Sequence, residues 1–398
     1  MAITDPIPGV TATPARRGAA LLVLLSAMPP EQLKSVLSKL IHSFLTEDLI
    51  IAIPDGLLAD AYPALRIVAA PATSASWTLT AADFLNAYQL AEKNQAQAIL
   101  MLGPESSSLS SSALRDLGDA ALARHTDLAV PRYDLPPHAR LITSAILYPL
   151  TRTLFGTGVR LPLVLDLGLS LRMAERLAGV ASRFTPLNQS EALLWPVNEA
   201  TVAGFTISQI DAGPRAQFQT TGVDLNTILP LIVGSLFSDI EAKAAFWQRA
   251  RQFPPALHLV PMAHSPSTDA TAEIAPMLQA FQLAYTNLEE IWRLVLPPSS
   301  LLGLKRLSTT DGAAFRMPES LWVRIVFDFL LAYRLRTINR GHLLGALIPL
   351  YLAWVASHIN IIASGTDAEY HIEAVAAAFE ADKTYIVSRW RWPDRFNP

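Results

Sequence analysis

Up to about residue 222, short apolar runs alternate with amphipathic stretches, and from residue 225 the short runs cease. Leu21 to Ser26, Leu49 to Pro54, Arg66 to Ala70, Ala98 to Leu102 and Leu128 to Pro131 have the length and composition of buried strands. Between them, Gln32 to Leu45, Ala81 to Lys93 and Ala113 to Arg124 follow helical patterns, and Leu141 to Phe155 reads as an apolar helix. Strands alternating with helices predict a mainly parallel sheet wrapped by helices. Beyond residue 225 the pattern is helical over Leu225 to Arg251, Ala270 to Val295, Pro318 to Asn339, His342 to Ala363 and His371 to Arg389. Pro254-Pro255, Pro297-Pro298 and Thr310-Asp311-Gly312 punctuate it. The expected organisation is a loose tail over 1–17, an α/β domain over 18–224 and an all-α domain over 225–398.

Ligands of such sheets gather at the carboxyl ends of the strands. This directs attention to Asp55-Gly56 and to Gly103-Pro104-Glu105. The serine tract Ser106 to Ser112 reads as a polar loop, with Ser110 to Ser112 placed to cap the next helix.

Net charge is −3 with both signs mixed along the chain, so there is no basic footprint for nucleic acid. Charged residues make up 16% against 51% hydrophobic, which suggests a surface partly covered by a second copy of the chain or a partner protein. The chain has no cysteine, which excludes disulfides, thiolate metal sites and cysteine nucleophiles and fits a reducing, cytoplasmic setting. His258 and His264 lie close together but lack ligand spacing for zinc.

Arg16-Arg17 followed by Gly18 to Met28 has the outline of a signal peptide and also of a first buried strand. Met28-Pro29-Pro30 ahead of a helical pattern favours the strand. The longest other apolar run, Leu343 to Ser357, would reach ~22 Å as a helix, short of a ~30 Å hydrocarbon core. It is expected to be a buried core helix and not a membrane span.

More specific signals begin at Tyr133-Asp134 and Leu141-Ile142-Thr143. They continue through Tyr148-Pro149-Leu150-Thr151-Arg152-Thr153-Leu154-Phe155-Gly156 and from Arg160-Leu161-Pro162 to Asp166-Leu167-Gly168. With Gly204-Phe205, Arg316-Met317-Pro318-Glu319 and Pro349-Leu350-Tyr351, this series resembles bacterial family 2 glycosyltransferases related to mannosylglycerate synthase. The resemblance implies a GT-A fold, a nucleotide-sugar donor and a small hydroxylated, glycerate-like acceptor. It also implies Mn²⁺ or Mg²⁺ on an Asp-x-Asp turn, neutralising the departing diphosphate.

Against that pattern the metal site is depleted. The turn after Ala98 to Leu102 reads Gly103-Pro104-Glu105, which leaves Glu105 as the weak candidate for any residual metal. Gln217 stands where the family supplies a histidine, and Leu193 where it supplies an aspartate. The lysine of a Lys-Gly pair is missing, and two glycines of the acceptor loop are Val164 and Leu165. The resemblance makes Asp166 the group that orients an acceptor hydroxyl and puts Thr143 and Tyr148 on the acceptor side. Arg132, Arg152 and Arg160 are the candidates for binding anionic groups. Arg152 and Arg160 have a second reading, as buried ion pairs tying helix to loop. Two functions follow: a transferase with weak or no metal-dependent activity, or a non-catalytic homologue acting as a binding or scaffold subunit. A metal-independent transferase is a third.

Overall fold

The structure, a computed structural model, describes residues 21–54, 62–71, 77–136, 139–187, 189, 191–215, 224–249, 274–310 and 312–392. The tail over 1–17, Asp55-Gly56, Gln217, His258 and His264 lie outside the described residues.

Leu21–Leu25 (β1) is buried along its whole length, as a run without polar alternation requires when both faces of a sheet are covered. It pairs in parallel with Leu49–Pro54 (β2) on one side and Ala98–Leu102 (β4) on the other, and β2 pairs in parallel with Arg66–Ala70 (β3). The remaining strands are Leu128–Asp134 (β5), Leu167–Ser170 (β6) and Ile207–Pro214 (β7). The described residues form one sheet in the order β3-β2-β1-β4-β6-β5-β7. Because β6 runs antiparallel to both β4 and β5, the sheet is mixed. This orientation brings the start of β6 to the carboxyl end of β4.

Helices Pro30–Ser43 (α1), Ala81–Asn94 (α2) and Ser111–Leu122 (α3) follow the expected spans closely. Pro30 opens α1, where a missing N–H costs nothing. Thr80 and Asp83 form a capping box on α2, and the Ser110 hydroxyl accepts from the Ala113 N–H at the head of α3. The expected helix Leu141 to Phe155 is instead a π-helical turn, Thr143–Leu147, running into Tyr148–Phe155 (α4). Pro149 explains the interruption, because it has no N–H to offer the Ala145 carbonyl one turn back. The Trp322 indole donates to that carbonyl instead, at 2.8 Å.

Leu171–Ala181 (α5) and Pro196–Ala203 (α6) complete the α/β part. Helices then follow to the end of the described chain: Leu225–Ala242 (α7), Ala244–Trp247 (α8), Ile274–Val295 (α9), Pro298–Ser308 (α10), Glu319–Leu335 (α11), Arg340–Ala363 (α12), Ala368–Ala381 (α13) and Lys383–Arg391 (α14). Three differ from the sequence reading. The stretch Leu225 to Arg251 breaks at Lys243. The Pro297-Pro298 pair starts α10 instead of only separating its neighbours, and the stretch His371 to Arg389 breaks at Asp382. Among the described residues the last strand ends at Pro214, but the helical core also takes in Ala145, Ile146, Leu150, Leu154 and Phe155 from the π turn and α4. That segment therefore belongs to the α/β part by sequence and to the helical part by packing.

Two helices, α7 and α12, are long and apolar enough to cross a membrane by length and composition, with 39% and 61% of their apolar windows buried within the protein. In α12 most of that surface is spent on the core, as expected for Leu343 to Ser357, although the helix itself runs to 24 residues.

Within the helical part, Asp328 of α11 is 1% exposed and accepts from the Tyr385 hydroxyl at 2.6 Å. Burial pushes its carboxyl from 3.8 up to about 6. The folded state therefore holds more protons than the unfolded chain between those values, so this contribution to stability is full below pH 4 and lost as pH rises through 6. The span corresponds to about 3 kcal/mol. Urea unfolding at pH 5 and pH 7.5 should show Asp328→Asn lacking this share of the pH dependence. Identical pH profiles for variant and wild type would contradict the assignment.

Candidate functional site at the carboxyl ends of the strands

In chain order the sheet grows from β1 through β2 to β3 and then reverses to add β4 on the far side of β1. The crevice outside the carboxyl ends of β1 and β4 is thus the switch point at which such sheets bind ligands. Its floor is Gly103 and the short turn Pro104–Ser108. That turn is pinned from below, because the Lys39 ammonium of α1 donates to the Ser107 and Leu109 carbonyls at 2.5 and 2.7 Å.

The register of the sheet gathers three side chains here, and Arg140 joins them from the segment after β5. Met101 stands opposite Leu167 in the antiparallel β4–β6 pair, so Asp166, one residue earlier, reaches the end of β4. Tyr133 lies near the carboxyl end of β5, and Arg215 follows the last residue of β7, whose partner on β5 is Asp134. Asp166 is fully buried and is the hub: it accepts from the Gly103 N–H at 2.8 Å, from the Tyr133 hydroxyl, and from Arg215 Nη2 at 2.8 Å. The Tyr133 phenol is held well above its ordinary pKa, first by burial and then by the Asp166 charge, so it stays protonated and donates. Arg215 and Arg140 both sit against the Tyr133 ring, their guanidinium carbons 5.2 and 5.8 Å from its centre.

The sequence candidates separate. Asp166 belongs to the crevice, but its carboxylate is enclosed by three donors and presents no exposed oxygen to an acceptor hydroxyl. Glu105 is there too, half-buried on the turn. Arg132 is not, since it pairs across the strands with the exposed Asp211 at 2.6 Å.

Tyr148, Arg152 and Arg160 cluster against α13. Arg152 bonds Glu373 at 2.5 Å, Glu380 at 3.0 Å and the Tyr148 hydroxyl at 2.9 Å. Arg160 bonds Glu369 at 3.2 Å and Ser144 at 3.1 Å and lies over the Tyr148 ring. The two guanidiniums thus serve as ties between α4, its following loop and α13, the second of the two readings the sequence leaves open. Thr143 is buried in the π turn. Leu193 is buried and bridges to Thr80.

Arg215 and Arg140 are absent from the sequence candidates. The rule pointing to strand ends, applied to β7, leads to Gly213-Pro214-Arg215, two residues short of the position where the family histidine is expected.

The residues present do not fit a divalent ion in the Asp-x-Asp manner. A Cβ built on Gly103 would meet Leu165 Cβ at 2.7 Å and Arg215 Nη2 at 3.3 Å, so the volume of a ligating side chain is filled by a leucine and a guanidinium. Among the described residues no group of three or more His, Cys, Asp or Glu side chains is placed to hold a metal. A cation at this position would be repelled by the guanidinium, and among the described residues it would meet Glu105 as the carboxylate not already enclosed by donors.

No family model matches the sequence, and no curated protein matches it. Among solved structures it is similar to glucosyl-3-phosphoglycerate synthase from Mycobacterium tuberculosis in complex with Mn²⁺, UDP-glucose and phosphoglyceric acid, at 14% identity, over 56% of this chain and 79% of that one, with a TM-score of 0.37. Another structure of the M. tuberculosis synthase gives 15% identity over 56% and 80%, with a TM-score of 0.35. A structure described only as a mycobacterial protein gives 15% over 56% and 74%, at 0.36. Identity and TM-score this low assign neither substrate nor activity to the chain.

Proposed function

We propose that this chain is a cytoplasmic glycosyltransferase relative that takes a nucleotide sugar into the crevice between β1 and β4 without a standard divalent metal site. Its small acceptor would be a hydroxylated, glycerate-like acid. The observation that carries the metal half of this reading is the filling of the Gly103 side-chain volume by Leu165 and the Arg215 guanidinium. Transfer from such a donor needs the charge developing on the diphosphate to be stabilised, usually the largest single term in such catalysis. With no competent cation site, metal-dependent transfer is expected to be weak or absent.

Nucleotide release from UDP- and GDP-sugars, with glycerate and phosphoglycerate as acceptors, tests this with and without Mn²⁺. The expected rate lies well below the ~1 s⁻¹ of an ordinary enzyme and does not rise on adding metal. Turnover at ~1 s⁻¹ or faster that appears only with Mn²⁺ would overturn the reading.

A second reading, a non-catalytic homologue serving as a binding or scaffold subunit, is favoured by one feature. Arg152 and Arg160, the candidates for an acceptor's anionic group, already spend their charge on Glu369, Glu373 and Glu380. Calorimetric donor binding measured beside that assay separates the two, because a scaffold would bind the donor and release no nucleotide, whereas a metal-independent transferase would release it slowly in EDTA.

A further inference from the structure

We infer that Arg215 and Arg140 form a metal-independent centre for the diphosphate of a nucleotide, with the Arg215 guanidinium occupying the volume that a metal-ligating side chain at position 103 would need. The inference deepens the proposed function and rests on it for the identity of the donor. It stands on three features of the geometry.

The Arg215 side chain is 3% exposed, yet only its Nη2 is used, by Asp166. Nε and Nη1 are buried with no partner among the described residues. Buried polar groups in folded proteins are almost always hydrogen-bonded, so two orphaned donors on one guanidinium mark a place for an acceptor. Nε and Nη1 lie on different edges of the guanidinium, so each offers a separate charge-assisted donor to an oxygen of a diphosphate.

The second feature is charge. Asp166 is the one carboxylate that acts on Arg140, whereas Arg215 opposes it as a like charge. Around the protonated Tyr133 phenol, two guanidiniums share the one buried carboxylate of Asp166, in a setting where burial already pulls Arg140 below its ordinary pKa. An anion removes that imbalance. Thirdly, Arg140 is held at a backbone φ of 53°, is half-buried, and shares the Tyr133 ring with Arg215, which puts a second guanidinium at the same corner of the site. Asp166 and Tyr133 are positioning residues in this arrangement: they aim Arg215 and touch no ligand.

Calorimetric titration of the full chain with inorganic pyrophosphate in EDTA tests the centre. Saturable binding is expected, weakened at least tenfold by Arg215→Gln and by Arg140→Gln and partly recovered in Arg215→Lys. Absence of saturable binding to the wild-type chain, or affinities of both glutamine variants within twofold of wild type, would overturn it. Should circular dichroism show Arg215→Gln unfolded, the half-exposed Arg140→Gln carries the test alone. Pyrophosphate bound through Arg215 with no nucleotide sugar bound would sustain this centre and sink the transferase reading. A nucleotide sugar bound only with Mn²⁺, and indifferently to Arg215→Gln, would do the reverse.

Discussion

Asp166→Ala should destabilise the fold by about 3–5 kcal/mol, because it leaves the Arg215 guanidinium buried without its counter-charge. The substitution also strips the acceptor from the Tyr133 hydroxyl and from the Gly103 N–H, neither of which can turn to water from a site that is fully buried. Such a loss is a large fraction of the 5–15 kcal/mol that holds a typical domain together. Asp166→Asn keeps an acceptor while losing the charge and should fall between wild type and alanine. Urea unfolding with the extrapolated free energy compared across the three proteins checks the order. A loss below about 1 kcal/mol for the alanine variant, the worth of an ordinary hydrogen bond, would show that the hub does not hold this corner of the sheet.

Gly103→Asp, the substitution that would restore the first carboxylate of the family motif, is expected to destabilise and to create no Mn²⁺ site. Its Cβ would stand 2.7 Å from Leu165 Cβ, a contact that forces the loop ahead of β6 to move. Overpacking of this kind costs roughly 1–3 kcal/mol. Pairing it with Leu165→Gly removes the clash, so the double variant should be more stable than the sum of the single losses predicts. Even then the new carboxylate would sit within reach of Arg215, whose Nη2 is 3.3 Å from that Cβ, and an ion pair would form in preference to a metal site. Unfolding measurements give the coupling and Mn²⁺ calorimetry gives the site. A clean micromolar Mn²⁺ site in the single variant would place the metal, and Arg215, somewhere else.

Local pattern reached the scaffold more surely than the site. Strands Leu49–Pro54, Arg66–Ala70 and Ala98–Leu102 are legible to the residue from their length and flanks, although Arg66–Ala70, at the sheet edge, is largely not buried while the other two are. The four residues of β6 were not, because Leu167-Gly168-Leu169-Ser170 carries too little pattern and its direction is fixed by its neighbours. Leu165, standing where the family pattern has a glycine, fills the volume beside Gly103. What the sequence could not supply was pairing at a distance. Glu369, Glu373 and Glu380 lie more than 200 residues from Arg152 and Arg160, and nothing local marks them as partners. The family motif does not mark Arg215, because its histidine position falls at residue 217, whereas the rule of strand ends leads to Pro214 and the residue after it.

The most direct measurement is the affinity of the full chain for UDP- and GDP-sugars by calorimetry, first in EDTA and then in excess Mn²⁺. A diphosphate held by guanidiniums should bind with affinities that agree within about threefold between the two conditions, less than 1 kcal/mol apart. Tightening by Mn²⁺ of tenfold or more, about 1.4 kcal/mol, would contradict a metal-independent centre at the end of β4.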